Sequence, residues 1–316
     1  MMHTVANIED QLENQVEMQT FYDRALLSRL TPNLVYYQFA QKRSIGKNQG
    51  TTISFRRFKP LPVLPAASYI PTGEIKGAGN GNQLEVQSIK VDLRTYGDYL
   101  ELHDSVDYFA IDPILTESAE LLGEQAALSL DTNVRDTVAT GTSAVFANGK
   151  LNRNAVAKTD ILTSAEVKKA VRMLRRNNSK PLDGGYYVGI ISPDAAFDLM
   201  GDPLWQDVAK YSDGANIMKG EVGKLFGVRF VETTNIKKVT NTGGADVQMS
   251  VIFGKDAYGV VDLEGANKPK MIVKPYGSAG SSDPLNQLAT VAWKSVFATA
   301  RLNESSIVRI EHSISA

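Results

Sequence analysis

Cysteine is absent from this 316-residue chain. That excludes disulfides and thiolate metal sites and makes a reducing compartment the natural expectation. Histidine is scarce: His3, His103 and His312 are scattered and no His-Glu-x-x-His spacing exists, so nothing points to a transition-metal centre. No apolar run approaches the roughly 18–20 residues a membrane helix needs. Residues 1–20 are polar and acidic, without the basic start and apolar centre of a signal peptide, so a soluble protein made inside the cell is expected. The glycine clusters are incomplete as motifs. Gly77-Ala-Gly-Asn-Gly81 has Asn82 where a dinucleotide loop needs its third glycine. Gly223-Lys224 runs into Leu225, and Met218 stands where a phosphate loop would begin. Neither Gly141-Thr-Ser143 nor Gly277-Ser278 completes a nucleophile elbow. Acid pairs such as Asp104 and Asp107 suit caps and surfaces better than acid/base or Ca²⁺ chemistry. The expectation is no catalytic residue, no cofactor and no metal.

What is present is ordinary in amount and uneven in placement. Apolar residues make up 43% and charged residues 22%, enough for about two domains with a real core. Net charge is only −1. Yet Arg24 to Gly73 contains eight cations and no acid, a local charge of +8. Asp98 to Asp136 contains ten acids against Arg135 alone, a local charge of −9. Residues 150–180 are basic again, without the aromatic interleaving or motif of a sequence-specific nucleic-acid reader. Blocks of opposite sign suggest association, within the fold or between copies; solvated faces that happen to segregate are the plainer alternative.

The chain is organised around one long helix, expected over 112–140. Asp112-Pro113 is a helix start and Gly141 a stop, giving roughly 40 Å of helix. Leu115, Ala119, Leu122, Ala126, Leu130 and Val134 form its apolar stripe, and Glu117, Glu120, Glu124 and Asp131 repeat on the opposite side. Leu121 and Leu128 interrupt that acidic side; cover by the rest of the subunit is expected, with contact to a second subunit as the sharper reading. Before the helix, residues 1–20 read as a loose arm. Phe21, Ala25, Leu26 and Arg29 mark a short amphipathic helix ended by Thr31-Pro32, and the aromatics of 33–40 are expected to tuck onto their own domain or dock on a neighbour. Residues 51–58 and 84–93 read as strands, the second extending toward Leu102, joined by the Pro- and Gly-rich stretch 60–82. A connection that long suits a projecting arm, and a lone hairpin needs another surface to lie on. After the long helix, Thr163-x-x-Glu166 opens a helix to about Asn177, and Ser192-Pro193 opens another. Strands are expected at 186–191, 220–231, 247–253, 257–262, 270–274, 288–302 and 307–311. Helices and strands without a strict β-α-β rhythm give the fold class as α+β.

Several stretches resemble a family of tailed-bacteriophage major capsid proteins, of the podovirus type. They are Tyr22–Val35, Gln41–Ile45, Ile53–Pro62, Tyr96–Tyr99, Ala110–Pro113, Glu120–Gln125, Asp131–Asp136, Thr290–Lys294 and Val308–Glu311. The order and spacing match over most of the chain. Tyr69-Ile-Pro-Thr-Gly73 departs where an acidic Glu-Gly step is the family's pattern, and Ala40 and Gly46 stand in place of Gly and Pro.

The resemblance implies the Hong Kong 97-type capsid fold. It implies an N-terminal arm over 1–50, an extended loop over 51–103, a peripheral domain from 104–185 and 276–316 with the 112–140 spine helix, and an axial domain over 186–275. It implies a structural subunit, not an enzyme, that self-assembles into pentamers and hexamers of an icosahedral shell around a viral genome, in the virion and assembled in the host bacterial cytoplasm. Its partners would be its own copies, with portal, scaffolding or decoration proteins and non-specific contact with packaged nucleic acid, and no membrane. Arg56, Arg57 and Lys59 of one copy are expected to contact the acidic block of another, where Glu117, Glu120 and Glu124 lie. Relatives that cross-link a loop lysine draw attention to Lys59 and Lys76, though no motif demands it. A bacterial encapsulating compartment shares the fold and is the alternative; an enzyme of another mechanism is the third reading.

Overall fold

The computed structural model describes residues 34–46, 50–59, 61, 63, 83–109, 114–182, 184–205, 223–263, 269–278 and 283–315. The arm up to residue 33, the loop tip with Lys76, the expected helix start at Asp112-Pro113 and His3 lie outside these. Two sheets share one helical strut. Strut α3 (Ile114–Ala139) follows the short helices α1 (Val35–Gln38) and α2 (Asp104–Phe109) and is 26 residues long, about 39 Å at 1.5 Å per residue. Its expected stripe is buried: Ala119, Leu122, Ala126, Leu130 and Val134 are all at or below 5% exposure.

The first sheet is built around β13 (Leu288–Arg301). On one edge lies β4 (Arg94–His103), antiparallel along ten residues. On the other edge β11 (Tyr258–Leu263) and β12 (Lys270–Lys274) follow one another, and β1 (Gln41–Ile45) adds parallel to β11. Strand parity sorts its two faces. Val291 and Trp293 point toward α3, where they meet Ala119, Leu122 and Ala126. Ala298 points the other way, and there a two-stranded hairpin lies on the sheet. That hairpin is β2 (Thr52–Phe58) paired antiparallel with β3 (Val86–Asp92), anchored by Phe55 and Val91 against Ile45, Val261 and Ala298. Gly259 is required beneath it: a Cβ there would stand 3.1 Å from the Phe55 ring and 3.2 Å from the Gln41 carbonyl.

The second sheet runs β5 (Ala144–Phe146), β14 (Ile307–His312), β10 (Asp246–Phe253), β6 (Tyr187–Ile191), β8 (Val228–Glu232), β7 (Lys224–Leu225), with β9 (Lys238–Thr240) beside the start of β10. Alternation is visible along β6: Tyr187 and Ile191 pack beneath helices α4 (Ser164–Arg176) and α5 (Pro193–Met200), while Val188 and Ile190 pack beneath α3. The expected starts hold. Ser192 Oγ accepts from the Ala195 amide at 3.0 Å and Pro193 occupies the first turn of α5. At α4 the Thr163 hydroxyl donates to the Glu166 carboxylate instead of accepting from the helix backbone, and Glu166 takes the Asn148 amide, so the two residues meet without making the capping box.

Candidate inter-subunit surface

The hairpin is where the expected contact residues begin. Its register runs from Thr52 opposite Asp92 to Phe58 opposite Val86, and the ladder continues with the Lys59 amide donating to the Glu85 carbonyl at 3.0 Å. Inward side chains stop at Phe55. Beyond it Phe58, Leu61, Val63, Leu84 and Val86 are exposed, between 48% and 93%. Single exposed apolar residues are normal, but five together around one hairpin form a candidate contact surface. Arg56 and Arg57 are exposed and border a cleft of about 330 Å³ with Arg43, Lys180, Lys255 and Asp256 at the hairpin root. Arg43 stacks on the Phe55 ring, 4.9 Å from its centroid. Lys59 differs from its two neighbours: its Nζ lies 2.6 Å from Glu85 Oε2 across the same hairpin, and that ammonium holds the Glu85 carboxyl below its ordinary range. It has a partner within its own subunit.

The acidic candidates line the outward side of α3. Glu117 and Glu124 are exposed and Glu120 is half-buried. Within one chain they are not brought together with Arg56, Arg57 and Lys59, because α3 and the hairpin occupy opposite faces of the first sheet. Leu121 and Leu128 remain 55% and 53% exposed on α3, so the rest of the described subunit does not cover them as expected. They line a groove of about 660 Å³ with Val35, Glu124, Pro193 and Glu232.

Asp131 was expected on that acidic side and is instead fully buried. The helix within the 33–40 stretch explains why. α1 packs across α3 with Tyr36 in the core, and Asp131 Oδ1 accepts from the Tyr36 and Tyr37 amides at 2.8 and 3.1 Å. Its other oxygen accepts from Asn235 at 3.3 Å. Free helix N-terminal amides are what a carboxylate satisfies best. Burial pushes the Asp131 carboxyl up to about 6 despite these donors. Tyr258 donates to the Tyr36 carbonyl at 2.7 Å and Tyr37 to Asp262 at 2.6 Å, so α1 is also fixed through its two central residues. No sequence period could single out Asp131: it sits 95 residues from its partner, and only the meeting of two distant helices makes it an interior group.

The far end of α3 is finished by β14. Arg309 Nη1 donates to the carbonyls of Ala139 and Gly141, the last carbonyls of the strut. The same guanidinium lies 2.6 Å from Glu311 Oε1, and Glu311 also takes a bidentate pair from Arg153 at 2.7 and 2.8 Å. His312 beside it is wholly buried between Ser250 and the Ser313 carbonyl, and burial depresses its pKa. His103 is exposed beside Asp104 and Ser105. Among the described residues, no group of three or more His, Asp or Glu is placed to hold a metal, and no helix is long and apolar enough to cross a membrane.

With this geometry in place, comparison with known proteins assigns the class. Residues 86–310 match the model of a phage capsid protein family, and the chain belongs to that family of shell-building structural proteins. No curated protein matches the chain in sequence. Among solved structures it is similar to the capsid of Ralstonia phage GP4, with a TM-score of 0.68 at 13% identity, covering 88% of each chain. It is similar to the capsid asymmetric unit of cyanophage Pam1, also at 0.68 with 14% identity, covering 91% of this chain and 92% of that one. A virus-like particle from Pyrococcus furiosus shares the fold at 0.54 and 12% identity, covering 93% and 99%. The Hong Kong 97-type α+β fold is therefore this chain's fold.

Proposed function

We propose that this chain is the major capsid subunit of a tailed phage of the podovirus type, assembling into pentamers and hexamers of an icosahedral shell that encloses the genome. The match of residues 86–310 to a phage capsid family carries this reading. In it, 1–50 is the arm, 51–103 the extended loop, 104–185 with 276–316 the peripheral domain and 186–275 the axial domain. Residues 94–103 lie inside the first sheet through β4, so of the loop's strands only β2 and β3 stand outside it. The subunit has no catalytic role and no cofactor. Its partners are its own copies; portal, scaffolding or decoration proteins and the phosphates of packaged nucleic acid touch it without sequence reading, and it assembles in the host cytoplasm. Arg56 and Arg57 act between subunits, through charges that are individually weak and repeated many times over a shell. Lys59, held by Glu85, assists by stiffening the hairpin.

Electron microscopy of the expressed protein tests the whole reading: closed shells are expected, and a strictly monomeric protein at all concentrations would overturn it. Charge reversal of Arg56 and Arg57 to Glu tests the contact. Particles are expected to disappear while the circular dichroism of the subunit stays unchanged; wild-type particle yield would remove these two residues from the interface. The similarity to the Pyrococcus particle makes a protein-filled compartment the second reading. Nucleic acid inside purified shells favours the phage reading, and enclosed protein favours the other.

A further inference from the structure

Much of the basic stretch over 150–180 falls on one side of α4. The helix contains a single acid, Glu166, buried at its start, where the Thr163 hydroxyl, the Asn148 amide and Lys169 already meet it. The other four cations, Lys168, Arg172, Arg175 and Arg176, are all exposed. Steps of four, three and one place them on the same side of the helix over about 12 Å. None of the four is in a salt bridge among the described residues. Asp202 lies within electrostatic reach of Lys168, but its two oxygens accept from the Ser164 and Leu204 amides at 2.9 Å. Arginines in a last turn suit the carbonyl end of any helix; Lys168 and Arg172 stand in earlier turns, so the dipole does not account for them.

A second feature lies against this side. β7 and β8 are joined by the two-residue turn Phe226-Gly227, with φ of 51° and 82°. Asparagine-glycine is the usual choice there because both residues are left-handed, and a bulky ring in that conformation is an outlier. Such strain persists where the surroundings fix the side chain. Here the ring lies beneath Lys168, whose Nζ is 4.6 Å from its centroid. With Val171 it floors an open cleft of about 730 Å³ whose remaining lining is Lys168, Arg172, Arg175 and Arg176, with no carboxylate. Three of these four are arginines, whose planar forks match phosphate oxygens. A duplex offers one negative charge per about 1.7 Å of axis in any sequence and register. An acidic protein would have to bring matched carboxylates to every copy.

We propose, on the reading of this chain as a shell subunit around a genome, that the Lys168–Arg176 side of α4 carries the phosphate backbone of the enclosed nucleic acid, whatever its sequence.

The test titrates the full-length protein with a short fluorescent DNA duplex between about 50 and 200 mM salt. Each phosphate contact adds about 0.9 to the slope of log affinity against log salt, so four add about 3.6. Over that fourfold rise in salt, wild-type affinity is expected to fall about 150-fold more than that of the quadruple variant Lys168→Gln, Arg172→Gln, Arg175→Gln, Arg176→Gln. A wild-type protein that does not bind, or slopes that differ by less than about 0.9, one contact, overturns the proposal. So does a slope that falls with Arg56→Gln and Arg57→Gln instead, which moves the contact to the hairpin. Poly-glutamate binding that is lost in the quadruple variant while duplex binding stays would assign the cleft to an acidic protein and overturn it too. If circular dichroism shows the quadruple variant unfolded, the four single variants are each expected to lower the slope by about 0.9, and four unchanged slopes overturn the proposal. Shells are scored separately by electron microscopy: their absence counts against the capsid reading, and an unchanged slope counts against this contact.

Discussion

The seven-stranded half and the hairpin treat polar and apolar groups in opposite ways. Around β14 polar groups are inside and held by partners in the same chain: Glu311 by Arg153 and Arg309, His312 by Ser250, Gln248 by Ser192. On the hairpin the large apolar groups are outside, with Val63 at 93% exposure, and the arginines face solvent. The first region answers these groups within its own chain. The second is held to its own sheet only at its root, by Phe55 and Val91, and its outer half has no such anchor among the described residues.

The contrast can be broken by substitution, and the largest effect belongs to the body. Glu311→Ala leaves Arg153 and Arg309 beside an empty buried site, and a loss of about 3–5 kcal/mol is expected in chemical denaturation. A change under about 1 kcal/mol would mean the network is not what completes this half. Phe55→Ala removes the larger of the hairpin's two buried anchors, 4% exposed, and costs about 3 kcal/mol or more, with proteolysis within 52–58 rising before the body unfolds. Asp131→Ala strips the acceptor from two amides and Asn235, for about 1–3 kcal/mol. Its pH dependence has a definite sign. A carboxyl pushed up from 3.8 to about 6 by burial binds its proton more tightly in the folded state, so this group's contribution is full below pH 4 and is lost as pH rises through 6. The loss is on the order of 3 kcal/mol, and Asp131→Asn is expected to flatten the stability profile between pH 4 and 6. Smallest is Lys59→Ala. The ammonium and its Glu85 partner are both solvated, so the denaturation midpoint should not move, while the Glu85 carboxyl returns toward its ordinary range in an NMR titration.

Period-based reading recovered what periodicity encodes. The strut, α4, α5 and the strands at 270–274, 288–301 and 307–312 sit where spacing placed them, because each buries a regular stripe. Three things were out of reach for a physical reason. The run 84–102 read as one strand, but Leu93 divides it between two sheets, and nothing local marks which partner a strand will take. The buried position of Asp131 depends on α1 arriving from 95 residues away. The exposure of Leu121 and Leu128 depends on what does not cover them, which an isolated helix cannot report. Of the contact residues, Arg56 and Arg57 were legible as a basic stretch; that Lys59 spends its charge on Glu85 follows only from the hairpin register.

Arg309 ties the close of the strut to a strand some 170 residues further along the chain. On a ribosome, the carbonyls of Ala139 and Gly141 wait for some 170 more residues before their donor emerges. The central beam is therefore capped only once both ends of that long span have been made.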